Sequence, residues 1–294
     1  MIVTVLLTVL GVIGAVFTGV LIQTAWRRSE LRPTIESIAL GAITNFFDTL
    51  GIGSFATSTA WIKLRRLVPD SFIPATLNVG HALPTFAQAF IFIQLVSVDP
   101  VLLASCIAAA VAGSIVGAPI VVRVPVRLVQ SVVGVALFIA AVLYALKNLD
   151  MMPAGGVALS LAAGPLAIAV AGHFVMGALM TFGIGLYAPS LILLSLLGLD
   201  PKAVFPIMMG ACAFLMPVCG MKFVRAERID LRVVIGIAIG GIPLVLIAAF
   251  VVKSLSLVTL RWGVVVVVLY AAILLLRSAM QGAVTQESAV KLAQ

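Results

Sequence analysis

Charged residues are scarce in this chain of 294 residues. Lys, Arg, Asp and Glu together make up 10% of it, hydrophobic residues make up 63%, and the mean hydropathy is +1.28. A typical soluble domain is about 25% charged. The charges lie in short clusters between long apolar runs, so the net charge of +8 does not indicate a nucleic-acid partner. The composition predicts an integral membrane protein and leaves no room for a soluble catalytic domain, so we do not expect an enzyme.

Residues that could bind a metal are also few. The chain has three cysteines and two histidines, and Cys106, Cys212 and Cys219 all lie inside apolar runs. No His or further Cys completes a zinc-type spacing around them. We therefore expect buried cysteines that behave as small hydrophobic residues, no bound metal and no cofactor.

Nine apolar segments can be identified along the chain, and about 20 apolar residues are enough to cross a bilayer as a helix. They are approximately 2–26, 35–62, 73–97, 100–122, 126–146, 157–198, 203–221, 233–252 and 257–276. Segments 35–62 and 157–198 are longer than the others and carry Gly and polar residues inside them. We predict a central break in each of these two segments.

The two breaks belong to an internal repeat. A shift of 132 residues lays Asp48-Thr-Leu-Gly-Ile-Gly-Ser-Phe-Ala-Thr-Ser-Thr59 over Met180-Thr-Phe-Gly-Ile-Gly-Leu-Tyr-Ala-Pro-Ser-Leu191, with six of twelve positions identical. The same shift lays Pro74 over Pro206. Self-similarity at a fixed spacing indicates duplicated structural units. We therefore predict an N-terminal transmembrane helix (1–34), a first repeat (35–150), a second repeat (151–280) and a cytoplasmic tail (281–294).

The distribution of Lys and Arg distinguishes two topologies, because loops on the cytoplasmic side carry most of the basic residues. If each broken segment crossed the membrane once, 10 of the 18 basic residues would be inside and 8 outside. If each segment instead enters and returns on the same side, 14 are inside and 4 outside. Limb length agrees, since residues 37–49 form a helix of only about 20 Å. This favours re-entrant hairpins, with the N-terminus outside and the C-terminus in the cytoplasm.

The predicted fold is therefore an all-α polytopic membrane protein with an inverted repeat. Each half contains a re-entrant broken-helix hairpin and three transmembrane helices, and one extra helix precedes them. Three full crossings separate the hairpins, so they enter from opposite faces and their Gly-Ile-Gly tips meet near the middle of the membrane.

The tips predict an anion site. Irregular backbone inside a membrane is tolerated only where protein or a watery cavity covers it. A helix begins after each tip, near Ser54 and near Ala188 or Pro189, and a helix N-terminus presents free N–H groups and a positive dipole end. The alternative is that the glycines serve only helix packing. The candidate substrate-binding residues are Gly51, Gly53, Ser54, Thr57, Ser58, Asn78, His81, Thr181, Gly183, Gly185, Tyr187 and Ser190.

Ionisable residues inside apolar segments are candidates for coupling proton movement to anion movement. Asp48 is the one acidic residue well inside an apolar run, and His81 and His173 are the two histidines. Asp48 could instead cap its own hairpin tip, and each His could have a packing role through hydrogen bonds.

The paired Gly-x-Gly tips, the helix start Gly183-Ile-Gly-Leu-Tyr-Ala-Pro189 and the Ala75-Thr-Leu-Asn78 segment resemble the sulfite exporter TauE/SafE family of membrane anion transporters. The resemblance covers about residues 35–280. Family members typically have three consecutive glycines after Gly-Ile or Gly-Val, whereas here Ser54 stands in the first copy and Leu186 and Tyr187 in the second. The resemblance implies secondary transport of sulfite, sulfoacetate or a related organosulfonate across the cytoplasmic membrane, usually outward.

The sequence thus favours a transporter for a small sulfur-containing anion, with that anion and the lipid bilayer as partners and no nucleic acid. A passive anion channel and an intramembrane hydrolase that uses Ser54 with a His, or Asp48, are the alternatives. The exact substrate, the coupling ion and the oligomeric state, a homodimer included, stay open at this point.

Overall fold

Most of the residues that the structure describes are helical. The structure is a computed structural model that describes residues 1–69, 72–116, 156–181, 183–225 and 229–254, with isolated residues and short pieces between 128 and 149 and between 259 and 280. The predicted tail 281–294 lies outside these residues. The helices are α1 (Ile2–Arg27), α2 (Ile35–Thr49), α3 (Ser54–Arg65), α4 (Ile73–Gly80), α5 (Ala82–Leu95), α6 (Pro100–Val116), α7 (Ala163–Met180), α8 (Tyr187–Leu196), α9 (Pro201–Arg225) and α10 (Leu231–Ser254).

Within the described part of the chain, four helices are long and apolar enough to cross a membrane. They are α1, α7, α9 and the Leu231–Val251 part of α10. Helix α9 is almost entirely buried, whereas most of α1 is accessible, so α9 lies in the centre of the bundle and α1 at its edge. The prediction of an all-helical membrane protein is confirmed as far as helix content and apolar helix length are concerned.

Both long apolar segments are broken at the predicted places. Helices α2 and α3 are separated by a turn at 50–53, and α7 and α8 by residues 181–186. Segment 73–97 is also broken, which the sequence analysis did not predict, between α4 and α5 at His81. Pro84 explains this break, because proline has no N–H to donate to the carbonyl of Gly80 one turn earlier.

Helices α2 and α3 form a hairpin that opens at one end of the bundle. Glu36 Oε1 at the start of α2 accepts a hydrogen bond of 2.7 Å from Arg65 Nε at the end of α3. Glu30 Oε2 accepts from Leu231 N (3.0 Å), which brings the start of α10 to the same end. We call this the basic end, after the Lys and Arg residues of the helix termini and loops there. They are Arg27, Arg28, Arg32, Lys63, Arg65, Arg66, Lys222, Arg225 and Arg232.

Helices α7 and α8 form a second hairpin, which opens at the opposite end. Ala158, before α7, donates from its N–H to Gly198 O (3.3 Å) and accepts from Asp200 N (2.8 Å), both after α8. Asp99 N, at the start of α6, donates to Leu159 O (2.9 Å). Helix α9 runs from this end to the basic end, a distance of about 37 Å for its 25 residues.

Each hairpin packs tightly against one further helix through glycine. A Cβ atom on Gly41 of α2 would collide with the backbone of Ile237 in α10, and one on Gly240 of α10 would collide with the backbone of Ile38. Gly113 and Gly177 produce the same close approach between α6 and α7. Small residues that bring helix backbones close together are typical of helix association in membranes.

Candidate functional site

The turn of each hairpin depends on glycine. Gly51 and Gly53 have φ values of 93° and 84° in the first turn, and Gly183 has a φ of 85° in the second. Residues with a side chain rarely adopt this left-handed region. The Gly-Ile-Gly sequences that identified the repeat therefore also make the two sharp turns, which we call the first tip (50–53) and the second tip (181–186).

The two tips contact each other reciprocally. A Cβ atom on Gly53 would lie 3.9 Å from Cβ of Tyr187, and a Cβ atom on Gly185 would lie 3.6 Å from Cβ of Phe55. The 132-residue shift relates Gly53 to Gly185 and Phe55 to Tyr187. The glycine of each tip thus faces the aromatic residue at the start of the helix that follows the other tip.

A small cavity lies where the tips meet. The space left in it, about 10 Å³, is room for about one water molecule. We call it the tip cavity, and it is lined by Asp48, Gly53, Ser54, Phe55, Thr85, Met180, Gly185, Leu186, Tyr187, Cys212 and Met216.

The Asp48 carboxylate holds the first tip. Its Oδ1 accepts a hydrogen bond from Ser54 N (2.5 Å), the first N–H of α3, and its Oδ2 accepts from Gln88 Nε2 (2.9 Å). The Gln88 amide also donates to Thr49 Oγ1 (2.8 Å) and accepts from the Tyr187 hydroxyl (2.5 Å). Gln88 therefore joins the first tip to the second. Asp48 caps its own tip, which was one of the two roles that the sequence left open.

The N-termini of α3 and α8 differ in whether a side chain caps them. Helix α8 begins at Tyr187, so Pro189 lies in its first turn, and no side chain among the described residues caps it. The residue that the repeat places opposite Asp48 is Met180, which cannot accept a strong hydrogen bond. The first-turn N–H groups of a helix have no partner within the helix. The second tip therefore keeps the positive helix end that the first tip neutralises.

Thr85 of α5 adds a polar group to the same cavity. Its side chain is 1% exposed and faces the Tyr187 hydroxyl. Its Oγ1 makes no hydrogen bond of normal geometry among the residues that the structure describes. Buried hydroxyl groups usually have a partner, and the Tyr187 hydroxyl is the polar group that interacts with this one.

Two serine–histidine pairs lie outside the cavity. Ser58 Oγ is 2.9 Å from His81 Nε2, and Asn45 Oδ1 is 3.0 Å from His81 Nδ1. Ser190 Oγ is 3.0 Å from His173 Nε2. All these side chains are fully buried.

The second partner of each histidine determines its tautomer. His173 Nδ1 faces the carbonyl oxygen of Ala169 (2.8 Å), and Asn45 donates its own amide to Gly41 O, so its Oδ1 is the acceptor for His81. Both Nδ1 atoms must then carry a proton. In the neutral form each Nε2 accepts, so Ser58 and Ser190 donate to it. The pairs fix α3 to the α4–α5 break and α8 to α7.

The cavity contains only part of the predicted set of residues. Gly53, Ser54, Gly185, Tyr187 and the proton-coupling candidate Asp48 line it. The other predicted residues do not: Gly51, Thr57, Ser58, Asn78, His81, Thr181, Gly183 and Ser190 among the binding candidates, and His173 among the coupling candidates. Several of these are engaged elsewhere.

The remaining polar candidates bond to nearby backbone or to a sulfur atom. Thr57 Oγ1 donates to Ser54 O and Thr181 Oγ1 to Ala178 O. The Asn78 amide nitrogen lies 2.9 Å from Pro74 O, and its oxygen accepts from Cys219 Sγ (3.2 Å).

Sequence reasoning missed Thr85 and Gln88. Both are polar residues in the apolar segment 73–97, and this was the signal available. It also missed the sulfur-containing residues that line the cavity, Met180, Cys212 and Met216. Among the described residues, no group of three or more His, Cys, Asp and Glu could hold a metal ion.

No protein-family model, curated protein or solved structure matches the chain. The case for a function therefore depends on the geometry of the tips and on the residues around them.

Proposed function

We propose that this protein is an inverted-repeat secondary transporter of a small sulfur-containing anion, such as sulfite or an organosulfonate like sulfoacetate. The anion binds between the two tips and crosses the cytoplasmic membrane by alternating access. The protein is not an enzyme in this proposal. The observation that carries it is the reciprocal contact of two glycine tips, from hairpins that open at opposite ends, around one buried cavity.

The helix order supports the inverted repeat. The 132-residue shift lays α2 over α7, α3 over α8, α4 and α5 over α9, and α6 over α10. In the first half, α2 packs on α10 of the second half, and in the second half, α7 packs on α6 of the first half. The shift relates these two contacts, because α2 corresponds to α7 and α10 corresponds to α6. Ser58 and Ser190 occupy equivalent positions, and each bonds a histidine.

The second tip provides the better anion site. The uncapped N-terminus of α8 provides a positive dipole end, and the Thr85 hydroxyl provides a hydrogen-bond donor, on one cavity. Such groups bind oxyanions without a full positive charge. At the first tip, Asp48 occupies the equivalent position, so an anion binds there only when the carboxylate is protonated or moves away. This links proton binding to anion binding.

The size of the cavity agrees with an alternating-access cycle. Room for one water molecule is too small for sulfite or sulfoacetate. The arrangement corresponds to the closed state between loading steps, and the tips must separate to accept the substrate. His81 and His173 hold the second limb of each hairpin during this movement.

The basic end supports an orientation. The Lys and Arg residues concentrated there favour a cytoplasmic position for this end, because cytoplasmic loops carry most of the basic residues of membrane proteins. Helix α1 ends at the basic end, so the N-terminus is outside. The C-terminus is in the cytoplasm in this proposal, although the residues that carry it lie beyond those described.

Flux into proteoliposomes tests the proposal. Sulfite, thiosulfate, sulfoacetate and taurine are compared with and without a pH gradient, against empty liposomes. We expect saturable flux of at least one of the sulfur anions and a dependence on the gradient. Saturable transport of none of them would overturn the substrate assignment. Unitary currents in planar bilayers would identify a passive channel instead.

The serine–histidine pairs support an intramembrane hydrolase as a second candidate. The order Ser58, His81, Asn45 is that of a nucleophile, a base and a group that orients the base. Ser58 is fully buried and does not line the tip cavity, which makes this the weaker proposal. Covalent labelling of Ser58 by a fluorophosphonate would support the hydrolase. Absence of labelling in protein that transports the anion would exclude the hydrolase.

A further inference from the structure

Three sulfur-containing residues line the tip cavity. They are Met180, at the end of α7, and Cys212 and Met216 of α9. Cys212 Sγ is 3.5 Å from Met180 Sδ. Met216 follows Cys212 by four residues, so both lie on one face of the helix. Each side chain is at most 2% exposed.

This group of ligands is selective in its chemistry. A thiolate and two thioethers are soft ligands, which favour Cu(I) and Ag(I) over Zn²⁺, Mg²⁺ or Ca²⁺. Divalent metals are bound mainly by His, Cys and carboxylate groups, and no cluster of three such residues occurs in the described part of the chain.

Size and charge favour the same class of ion. The cavity has room for about one water molecule, which suits a monatomic ion. A univalent cation bound to one thiolate is neutral overall, so the site adds no net charge to the membrane interior, where an unpaired charge is costly.

We propose that Met180, Cys212 and Met216 form a binding site for one soft univalent metal ion, Cu(I) or Ag(I). The ion forms a bond to Cys212 Sγ, and the thiol proton is released to solvent. The two thioether sulfurs donate lone pairs, and no electron is transferred. This inference does not depend on the transported substrate.

The position of the site gives it a consequence for movement. Met180 immediately precedes the second tip, whereas Cys212 and Met216 lie in the central helix α9. A bound ion joins the tip to this helix and keeps the cavity closed. We therefore expect Ag(I) to inhibit any flux that requires the tips to separate.

Competition with a chromogenic Cu(I) chelator, bicinchoninate, measures binding to the purified full-length protein in detergent under reducing conditions. We expect one Cu(I) per chain in the unmodified protein, loss of this site in Cys212→Ser, and at least tenfold weaker binding in Met180→Leu and Met216→Leu. Leucine has a volume close to that of methionine, so these two variants test the site even if Cys212→Ser does not fold. X-ray absorption of the copper-loaded protein should show sulfur neighbours.

Cys106→Ser and Cys219→Ser are the matched controls, because neither residue lines the cavity. Both should bind one Cu(I) with unchanged affinity. The proposal is overturned if the unmodified protein binds no Cu(I) in competition with the chelator, or if the two Met→Leu variants bind as tightly as the unmodified protein. If the protein binds Cu(I) but transports none of the sulfur anions, the transporter proposal is overturned and the metal-site proposal stands.

Discussion

Asp48 accepts a hydrogen bond from the backbone N–H of Ser54, so the first hairpin tip carries its own anion at the start of α3. The carboxylate fills the position that a bound oxyanion would otherwise occupy. Its second oxygen is held by Gln88, which also bonds Tyr187 of the second tip.

Asp48→Asn should remove the pH dependence of flux. The asparagine oxygen can still cap Ser54 N, but the amide NH₂ then faces the NH₂ of Gln88, which we expect to cost about 1–3 kcal/mol of stability. Flux measured across a series of pH values provides the test. Asp200→Asn is the control, because Asp200 also caps a helix start, at Lys202 N, but lies away from the cavity. An unchanged pH profile in Asp48→Asn would remove this carboxyl from the coupling mechanism.

Thr85→Val should weaken anion transport without weakening the fold. The hydroxyl has no hydrogen bond of normal geometry to lose, and valine has nearly the same shape as threonine, so the substitution should be nearly neutral for stability. We expect a higher KM with little change in maximal flux. Thr44→Val is the matched control, because the Thr44 hydroxyl bonds Leu40 O within its own helix. Equal KM values in the two variants would show that Thr85 does not contact the anion.

Gln88→Leu and Tyr187→Phe should be energetically coupled. Each substitution leaves a buried polar group of the other residue without its partner, at a cost of about 1–3 kcal/mol. The double variant should cost less than the sum, with a coupling energy of about 0.5–3 kcal/mol. Unfolding in mixed detergent micelles would measure the stability of the two single variants and of the double variant. Additive effects would mean that the bond between Gln88 and Tyr187 does not hold the tips together.

Gly177→Ala should destabilise the protein, because its Cβ would collide with the backbone of Ala110 and separate α6 from α7. Overpacking of this kind costs about 1–3 kcal/mol. Gly19→Ala in α1 is the control, since no atom lies near its Cβ position, and it should be neutral or stabilising. Unfolding midpoints of the two variants make the comparison. Similar midpoints would contradict the close packing.

Much of the fold could be predicted because membrane segments follow from composition and length. The two breaks followed from Gly51, Gly53, Gly183 and Gly185, whose spacing repeats along the chain. The break at His81 was missed, since a single proline such as Pro84 is tolerated in many membrane helices.

The residues of the site were harder to predict, because a residue lines the cavity only if its side chain points into it. Ser58 and Ser190 lie in the correct helices but face histidines rather than the cavity. Gln88 and Cys212 lie outside the two tip segments in sequence, and helix packing brings Gln88 to Asp48 and Tyr187 and brings Cys212 to the cavity. Nothing in the local pattern around either residue encodes that packing.

The difference between Asp48 and Met180 limits how such a protein could be assembled from identical parts. Two copies of the first half would place two carboxylates at one cavity, and two copies of the second half would place none. A single cavity with one acid and one thioether at equivalent positions therefore requires two halves of different sequence, as the two halves of this polypeptide are.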